Sequence, residues 1–314
     1  MLSGMNDAVF SAHHDHAAMV REGPPPAAVH WALRAVDPNG RILAVEPLAG
    51  GISHANHVIR VETGDGVFDV VLRRWVRACP QEDDTGFSAE QEAATYGLLA
   101  SSTVRAPRLV ASDTAAAECD VPALLLTREP GEAPGRPADL TGFLAQLAEA
   151  LPAIHSIDPD RAARVVPTYR PYYEATSLSV PGWTRTPAAW GRAIEIAATP
   201  PPAAELAHFI HRDYHPGNTL WVAGRLTAIV DWTTASMGPP VVDIAHMRAN
   251  LAMSFGVEAA DEFLAAYRAV APAYAHDPYW DLRSAVDFLP ELSPEPKPEF
   301  SRLDEFVTRA VATL

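Results

Sequence analysis

One stretch constrains this chain more than any other: Phe209-Ile210-His211-Arg212-Asp213-Tyr214-His215-Pro216-Gly217-Asn218. An Asp is followed five positions later by an Asn, and two short β-prone runs come next, at 219–222 and 226–230. Ala223-Gly224-Arg225 between the runs supplies turn chemistry, which predicts a hairpin. A hairpin brings its two ends together, so Asn218 before the first strand is expected close to Asp231 after the second. An amide oxygen and a carboxylate meeting there suit a hard cation such as Mg2+, which prefers oxygen ligands and keeps positions for substrate phosphates. Asp213, on the loop entering the hairpin, stands near such a cation without needing to bind it. That is the natural place for a base or orienting group acting on an acceptor hydroxyl. The bland alternative for all three residues is a solvated turn.

His211-Arg212-Asp213, four residues and then Asn218 match the catalytic-loop pattern of protein kinases, with Asp as base and Asn on the metal. The Pro216-Gly217-Asn218 ending and the later Asp231-Trp232 resemble more closely the aminoglycoside phosphotransferase family, small-molecule kinases with a protein-kinase-like fold. The resemblance runs roughly from residue 48 to residue 251 and is most specific between His211 and Asp243. It implies an α+β, bilobal protein-kinase-like fold, with an antiparallel sheet and one main helix in the N-lobe and a larger, mostly helical C-lobe. The implied organisation is a tail at 1–26, a nucleotide-binding N-lobe at 27–128, and a C-lobe at 129–314 carrying the catalytic loop and acceptor-binding helices. By the same resemblance Asp213 is the catalytic Asp, Asn218 and Asp231 are the magnesium ligands, and Asp243 is the family's structural Asp at the start of a helix. Read from the residues alone, Asp243 is preferred as a helix N-cap that satisfies orphan N–H groups.

The front half is then expected to hold the nucleotide. Leu48-Ala49-Gly50-Gly51-Ile52-Ser53 lies between strand-like runs at 42–48 and 57–61. Gly50 and Gly51 let backbone approach phosphates closely, and Ser53 adds a donor; a plain hairpin turn is the alternative. The run 68–75 reads as the next strand. A kinase fold places a lysine here, yet the sole lysine of the chain is Lys297. The resemblance passes the phosphate-binding role to Arg73, which binds phosphate bidentately but is not equivalent to lysine. Strand alternation puts Arg74 on the opposite face, where a surface charge is expected. Residues 88–99 read as a helix capped by Ser88. On it Glu92 fits the family's partner for the phosphate-binding cation, with Glu90 as the alternative. Strands follow at 107–110 and 122–127. Arg128-Glu129-Pro130-Gly131 then resembles the hinge, where backbone from Leu126 to Glu129 would meet the nucleotide base.

In the back half, helices are expected at 141–154, from Asp243 onward, at 256–270, within 274–289 and at 299–314. His155, His208 and His246 read as packing or capping residues. Glu258, Asp261, Glu262, Asp277, Asp281 and Asp287 are interleaved with Tyr279, Trp280 and Phe288. They form either a pocket for a polyamine-like or sugar-like acceptor or, preferred, a solvated surface. Residues 159–204 are rich in Pro, Trp and Tyr and receive no firm assignment, though Trp183 and Trp190 are candidates to pack a helical subdomain.

Composition bounds the function. A hydrophobic content of 48% is ample for a core. A net charge of −15 repels a phosphate backbone, so nucleic acid is excluded as a partner and a cationic or neutral substrate is favoured. No run is long enough to span a bilayer, and the first 26 residues lack the apolar core of a signal peptide. Cys79 and Cys119 read as reduced thiols, and together these features point to the cytoplasm. Only a short stretch separates Asp231 from the next helix, without the Ala-Pro-Glu ending of a peptide-binding platform. The expectation is a kinase that uses Mg2+ and moves the γ-phosphate of ATP or GTP to a hydroxyl of a small molecule. An aminoglycoside-like antibiotic, an amino alcohol and a sugar are all compatible acceptors. Two alternatives stand beside it: a nucleotide-binding pseudokinase, motivated by the missing lysine, and a metal-dependent hydrolase built from His211, Asp213, His215 and Asp231.

Overall fold

The structure is a computed structural model that describes residues 23–48, 54–76, 87–202 and 207–314. The described residues fall into two compact units. The first ends at Ser101 and adds Ala106–Glu129; the second comprises Ser102–Arg105 and Pro130–Leu314.

The first unit is a five-stranded antiparallel sheet with two helices. Its strands are β1 (Arg41–Pro47), β2 (Ala55–Thr63), β3 (Gly66–Arg74), β4 (Leu109–Asp113) and β5 (Ala123–Thr127), in the order β1-β2-β3-β5-β4. Helix α1 (Pro26–Val36) packs Trp31 and Ala32 against Ile59, Val61, Val70, Leu72 and Leu125. Burial of such side chains contributes roughly 1.5–3 kcal/mol each. Helix α2 (Ala89–Leu99) starts at Ser88, whose hydroxyl accepts from the Gln91 N–H at 3.1 Å, as the sequence predicts.

Arg74 departs from expectation. It shares the face of Val70 and Leu72, the face that α1 covers, and is only 2% exposed. Its guanidinium pairs with Asp120 and donates to the Gly23 carbonyl at 3.4 Å. Alternation correctly separates Arg74 from Arg73, but in a central strand both faces are covered, so neither is a surface charge. Cys119 is a core thiol beside this pair; burial, with Asp113 next to it, pushes it up to about 12. Cys79 lies outside the described residues.

The second unit is mostly helical. Its helices are α3 (Leu140–His155), α4 (Pro159–Ala162), α5 (Pro187–Ala197), α6 (Val241–Phe255), α7 (Val257–Val270), α8 (Pro278–Asp287) and α9 (Pro298–Ala312). Two small antiparallel pairs lie among them: β6 (His208–Ile210) with β9 (Ser236–Gly238), and β7 (Thr219–Val222) with β8 (Arg225–Ile229). Helix α6 is buried along most of its length and packs against α7, α8 and α9. No helix among the described residues is long and apolar enough to cross a membrane.

Two acids expected in solvent are buried instead. Asp281 accepts from Arg248 Nε at 3.0 Å and faces His276 Nε2 at 2.8 Å, while Asp287 pairs with Arg283 one helical turn before it. Arg248 reaches Asp281 from α6, and the Tyr173 N–H reaches Asp287 at 3.3 Å from the 159–204 segment, partners that sequence spacing does not disclose; the i,i+4 pairing of Arg283 with Asp287 is the local exception. Asp277 caps α8 by accepting from the Tyr279 N–H at 2.9 Å. Glu258 and Asp261 remain exposed.

The segment left unassigned by sequence docks on the last helix. Trp190 of α5 is fully buried, meets Trp183 edge-on at 5.7 Å, and donates its indole N–H to Asp304 of α9 at 2.7 Å. The same carboxylate accepts from the Thr184 hydroxyl at 2.6 Å and the Arg185 N–H at 2.9 Å. Asp304→Ala strands these donors in a largely buried setting. A loss of about 3 kcal/mol is expected, since each unsatisfied buried group costs about 1–3 kcal/mol. It would appear as a lower urea midpoint, and an unchanged midpoint would show that the segment does not depend on Asp304.

Candidate active site

The hairpin forms as the local sequence dictates. Ala223 and Gly224 both take positive φ, 47° and 75°, the backbone of a primed two-residue turn. Thr219 lies opposite Ile229, and the Val230 N–H donates to the Asn218 carbonyl at 2.9 Å. Asn218 and Asp231 therefore flank the base of the hairpin. Asp231 itself adopts a left-handed conformation, φ 64°, and accepts from the Thr233 hydroxyl at 2.9 Å.

The loop ahead of the hairpin is held at several points. Tyr214 is buried and donates its hydroxyl to the Leu147 carbonyl of α3 at 2.9 Å. His211 faces the Val230 carbonyl through Nε2 at 3.0 Å and packs against Trp232. Arg212 has φ 71°, a conformation that strains a residue bearing a Cβ. Its guanidinium offsets this by donating to the Arg170 carbonyl at 2.8 Å and lying 4.0 Å from the Tyr172 ring centre.

Asp243 was expected to cap a helix, and it does not. Helix α6 begins at Val241 with Pro240 at the cap position, and Asp243 sits in its first turn with no exposure. Its two oxygens accept from the backbone N–H groups of His211, at 3.0 Å, and Arg212, at 2.7 Å. His155 Nε2 faces the same carboxyl group at 3.0 Å. Pro240 has no N–H to offer and already continues the helical backbone, so the acid serves the loop rather than its own helix. His155 has a polar partner here and is not simple packing.

Asp213 lies at the centre of the loop and is about one-third exposed (34%). The Asn218 amide donates to its Oδ2 and to its backbone carbonyl, both at 3.0 Å. His246, on α6, places Nε2 3.0 Å from Oδ1. His215 Nε2 stands 3.7 Å from Oδ2, while its Nδ1 accepts from the Gly217 N–H at 3.1 Å. A Cβ on Gly217 would come within 2.6 Å of that imidazole, so a larger residue there would displace the His215 ring. Burial opposes ionisation of Asp213. The hydrogen bond from His246 and the nearby His215 outweigh it and hold the carboxyl well below the usual carboxylate range. Burial lowers the His215 imidazole, against the pull of Asp213.

Sequence reasoning missed His246, which was read as packing. The signal that finds it is its place three residues after Asp243, one helical turn along the same face of α6. A small cleft opens beside it, lined by Tyr169, Tyr172, Arg212, Trp280, Ser284 and Asp287 among others. Of the acids and aromatic residues weighed as an acceptor pocket, only Asp287 and Trp280 line this cleft, which is drawn from four separate stretches of chain.

In the first unit Arg73 and Glu92 form a buried ion pair, with Nε 2.9 Å from Oε1 and 3.1 Å from Oε2. The Trp75 indole donates to the same glutamate at 2.9 Å. Glu90 is exposed, so the structure brings Glu92 and not Glu90 to Arg73. Leu126 lies inside the sheet, between Val71 of β3 and Leu109 of β4. Glu129, just past β5, accepts from the Thr127 hydroxyl at 2.7 Å. Gly50, Gly51 and Ser53 lie outside the described residues.

The sequence model of the phosphotransferase enzyme family (APH) matches residues 44–280, about three-quarters of the chain. The chain belongs to this family. No curated protein matches the sequence. Solved structures carry the same α+β, kinase-like fold. The chain is similar to a thermostable mutant of aminoglycoside phosphotransferase APH(4)-Ia in ternary complex with AMP-PNP and hygromycin B. That likeness has 16% identity and a TM-score of 0.60 and covers 91% of this chain and 98% of the other. It is also similar to macrolide 2'-phosphotransferase MphH from Brachybacterium faecium, with 19% identity, a TM-score of 0.53, and coverage of 78% and 82%. An aminoglycoside-3'-phosphotransferase of type VIII gives 19%, 0.54, and coverage of 83% and 98%. This chain is thus a small-molecule phosphotransferase with an alcohol group as acceptor. The hydrolase alternative needs converging metal ligands, and the described residues hold no group of three or more His, Cys, Asp or Glu placed to bind a metal ion.

Asp243→Ala removes the acceptor of two buried backbone donors in this phosphotransferase. A destabilisation of about 2–4 kcal/mol is expected, read as a lower urea midpoint at unchanged m-value. A variant as stable as the parent would show that the loop is held by other contacts.

Proposed function

We propose that this phosphotransferase moves the γ-phosphate of ATP or GTP, in the presence of Mg2+, onto a hydroxyl of a small, neutral or cationic acceptor. One observation carries the reading: Asp213 is fixed between His246 and Asn218 at the mouth of a hairpin whose two ends are Asn218 and Asp231.

The residues present fit a magnesium ion. The nitrogen of the Asn218 amide is committed to Asp213, which leaves its oxygen as the end suited to a cation. Asp231 adds a carboxylate, so the pair is an all-oxygen donor set of the kind Mg2+ prefers. When bound, Mg2+ would supply charge neutralisation to the phosphates of the nucleotide. Asp213 orients the acceptor hydroxyl toward the phosphate and receives its proton. A carboxyl held ionised this firmly is a weak base, so orientation outweighs proton abstraction in its contribution. In the nucleotide-binding role, Arg73 steadied by Glu92 meets the α- and β-phosphates. The reading keeps for Gly50, Gly51 and Ser53 the phosphate-binding role expected from the sequence, and for the backbone from Leu126 to Glu129 the contact with the base. AMP-PNP in the APH(4)-Ia complex supports a nucleoside triphosphate as donor. Hygromycin B in that complex and the macrolide specificity in the name of MphH support an antibiotic-like acceptor. Amino alcohols and sugars suit the same site, and the net charge of −15 favours a cationic one. A reaction of this kind, run on nucleotide and with reduced thiols, belongs in the cytoplasm.

A pseudokinase is the second reading, supported by arginine at the position of the kinase lysine. Retention of Asp213, Asn218 and Asp231 together weighs against it.

Incubation with Mg2+, ATP or GTP and a panel of aminoglycosides, macrolides, amino alcohols and sugars is expected to yield a product heavier by one phosphate. Asp213→Asn should lower its rate at least about 100-fold, the lower end for loss of a positioned acid–base group. EDTA should abolish it, and Asn218→Ala and Asp231→Asn should raise the Mg2+ concentration needed for half-maximal rate. Full transfer by Asp213→Asn would remove Asp213 from its role. Nucleotide binding without any product would favour the pseudokinase.

A further inference from the structure

We propose that His246 is a positioning residue for phosphoryl transfer: it clamps the Oδ1 edge of Asp213 and walls the cleft from which the acceptor hydroxyl reaches that carboxylate. The proposal rests on the role assigned to Asp213 above and adds a second group to it.

A carboxylate on a loop turns about two side-chain torsions, and a productive geometry tolerates little of that motion. Asn218 restrains Oδ2, but the same amide is the one assigned to the cation. Its hold on the carboxylate reaches only Oδ2 and leaves the Oδ1 edge to another partner. His246 has no such second duty. It projects from α6, which is buried along most of its length, and its ring is held edge-on against Phe288 at 5.2 Å between centres. From there Nε2 reaches Oδ1 at 3.0 Å. A hydrogen bond from an imidazole to an ionised carboxylate requires a proton on Nε2, because the carboxylate only accepts. One turn earlier the same helix offers Asp243 to the loop backbone at His211 and Arg212. A single helical turn thus fixes both the backbone of the loop and the direction of its carboxylate.

Tyr169, Tyr172, Trp280 and Ser284 are among the other walls of the cleft, with the charged Arg212, Arg283 and Asp287 beside them. Ser284 is nearly buried, and its hydroxyl has no protein partner, so it is available to a polar group of an acceptor. A residue present for packing alone would need neither the donor nor a place in this wall.

His246→Gln keeps a donor near the Nε2 position, and His246→Leu keeps bulk without one. The kinetic probe is Mg2+ and ATP with hygromycin B, and separately with water as the only acceptor. His246→Leu is expected to lower kcat about 10- to 100-fold, the usual effect of losing an orienting partner, with ATP affinity within about threefold of the parent. His246→Gln should recover most of that loss. If the leucine variant does not fold, His246→Asn, whose amide stops short of Oδ1, replaces it. Independently of any acceptor, histidine side-chain 1H–15N spectra of the parent should show His246 with a proton on Nε2, shifted on Asp213→Asn. Wild-type kcat in His246→Leu, equal losses in both His246 variants, a loss confined to ATP affinity, or a His246 without a proton on Nε2 each overturns the proposal. If Asp213→Asn itself turns over fully, the underlying reading of Asp213 fails first and takes the proposal with it.

Discussion

Two backbone N–H groups on the loop before the hairpin, those of His211 and Arg212, end on the carboxylate of Asp243. Arg212 is in a left-handed conformation that an ordinary side chain resists, at a cost of roughly 1–3 kcal/mol. Paired, those N–H groups make the turn tolerable; unpaired and buried, they would add a desolvation penalty to the strain. The direction in which Asp213 leaves the loop follows from this turn. So does the entry of the chain into the 3-10 turn at 216–218 and then into β7. The site is best regarded as a strained loop tied to a helix, with its chemistry arranged around the tie.

The loop and hairpin were legible because they are local. Ala223-Gly224 specifies its turn within two residues, and the spacing of Asp213, Asn218 and Asp231 survives any change in what surrounds it. Ser88 announced its helix for the same reason. The pairing of Arg73 with Glu92 came from resemblance and not from residue pattern, and the structure finds these two side chains in contact. What the sequence hid were partners supplied from a distance. Arg74 needed Asp120, 46 positions on, to be acceptable in a core. Asp281 needed Arg248, and Asp304 needed a tryptophan more than a hundred positions away. Hydropathy marks all of these as surface residues, since nothing nearby in the chain announces the compensating charge or donor.

His246 shows a different limit. Its spacing from Asp243 was visible, but a histidine on an apolar helix is ordinarily a packed one. Only the path of the loop across α6 gives the ring a carboxylate to meet. Once that path is known, an acid and a histidine one turn apart on the helix become a pair of holds on one loop, one on its backbone and one on the side chain of Asp213.

The ion pair at Arg73 also changes how this enzyme meets covalent chemistry. Acylating reagents that tag kinases do so at the amine of the phosphate-binding lysine. A guanidinium remains protonated under such conditions and offers no nucleophilic nitrogen. With the phosphate-binding role proposed for Arg73, lysine-directed labelling would pass over that position and report Lys297, the sole lysine of the sequence, at the entry to α9. A survey that recognises kinases by that reaction would not count this one among them.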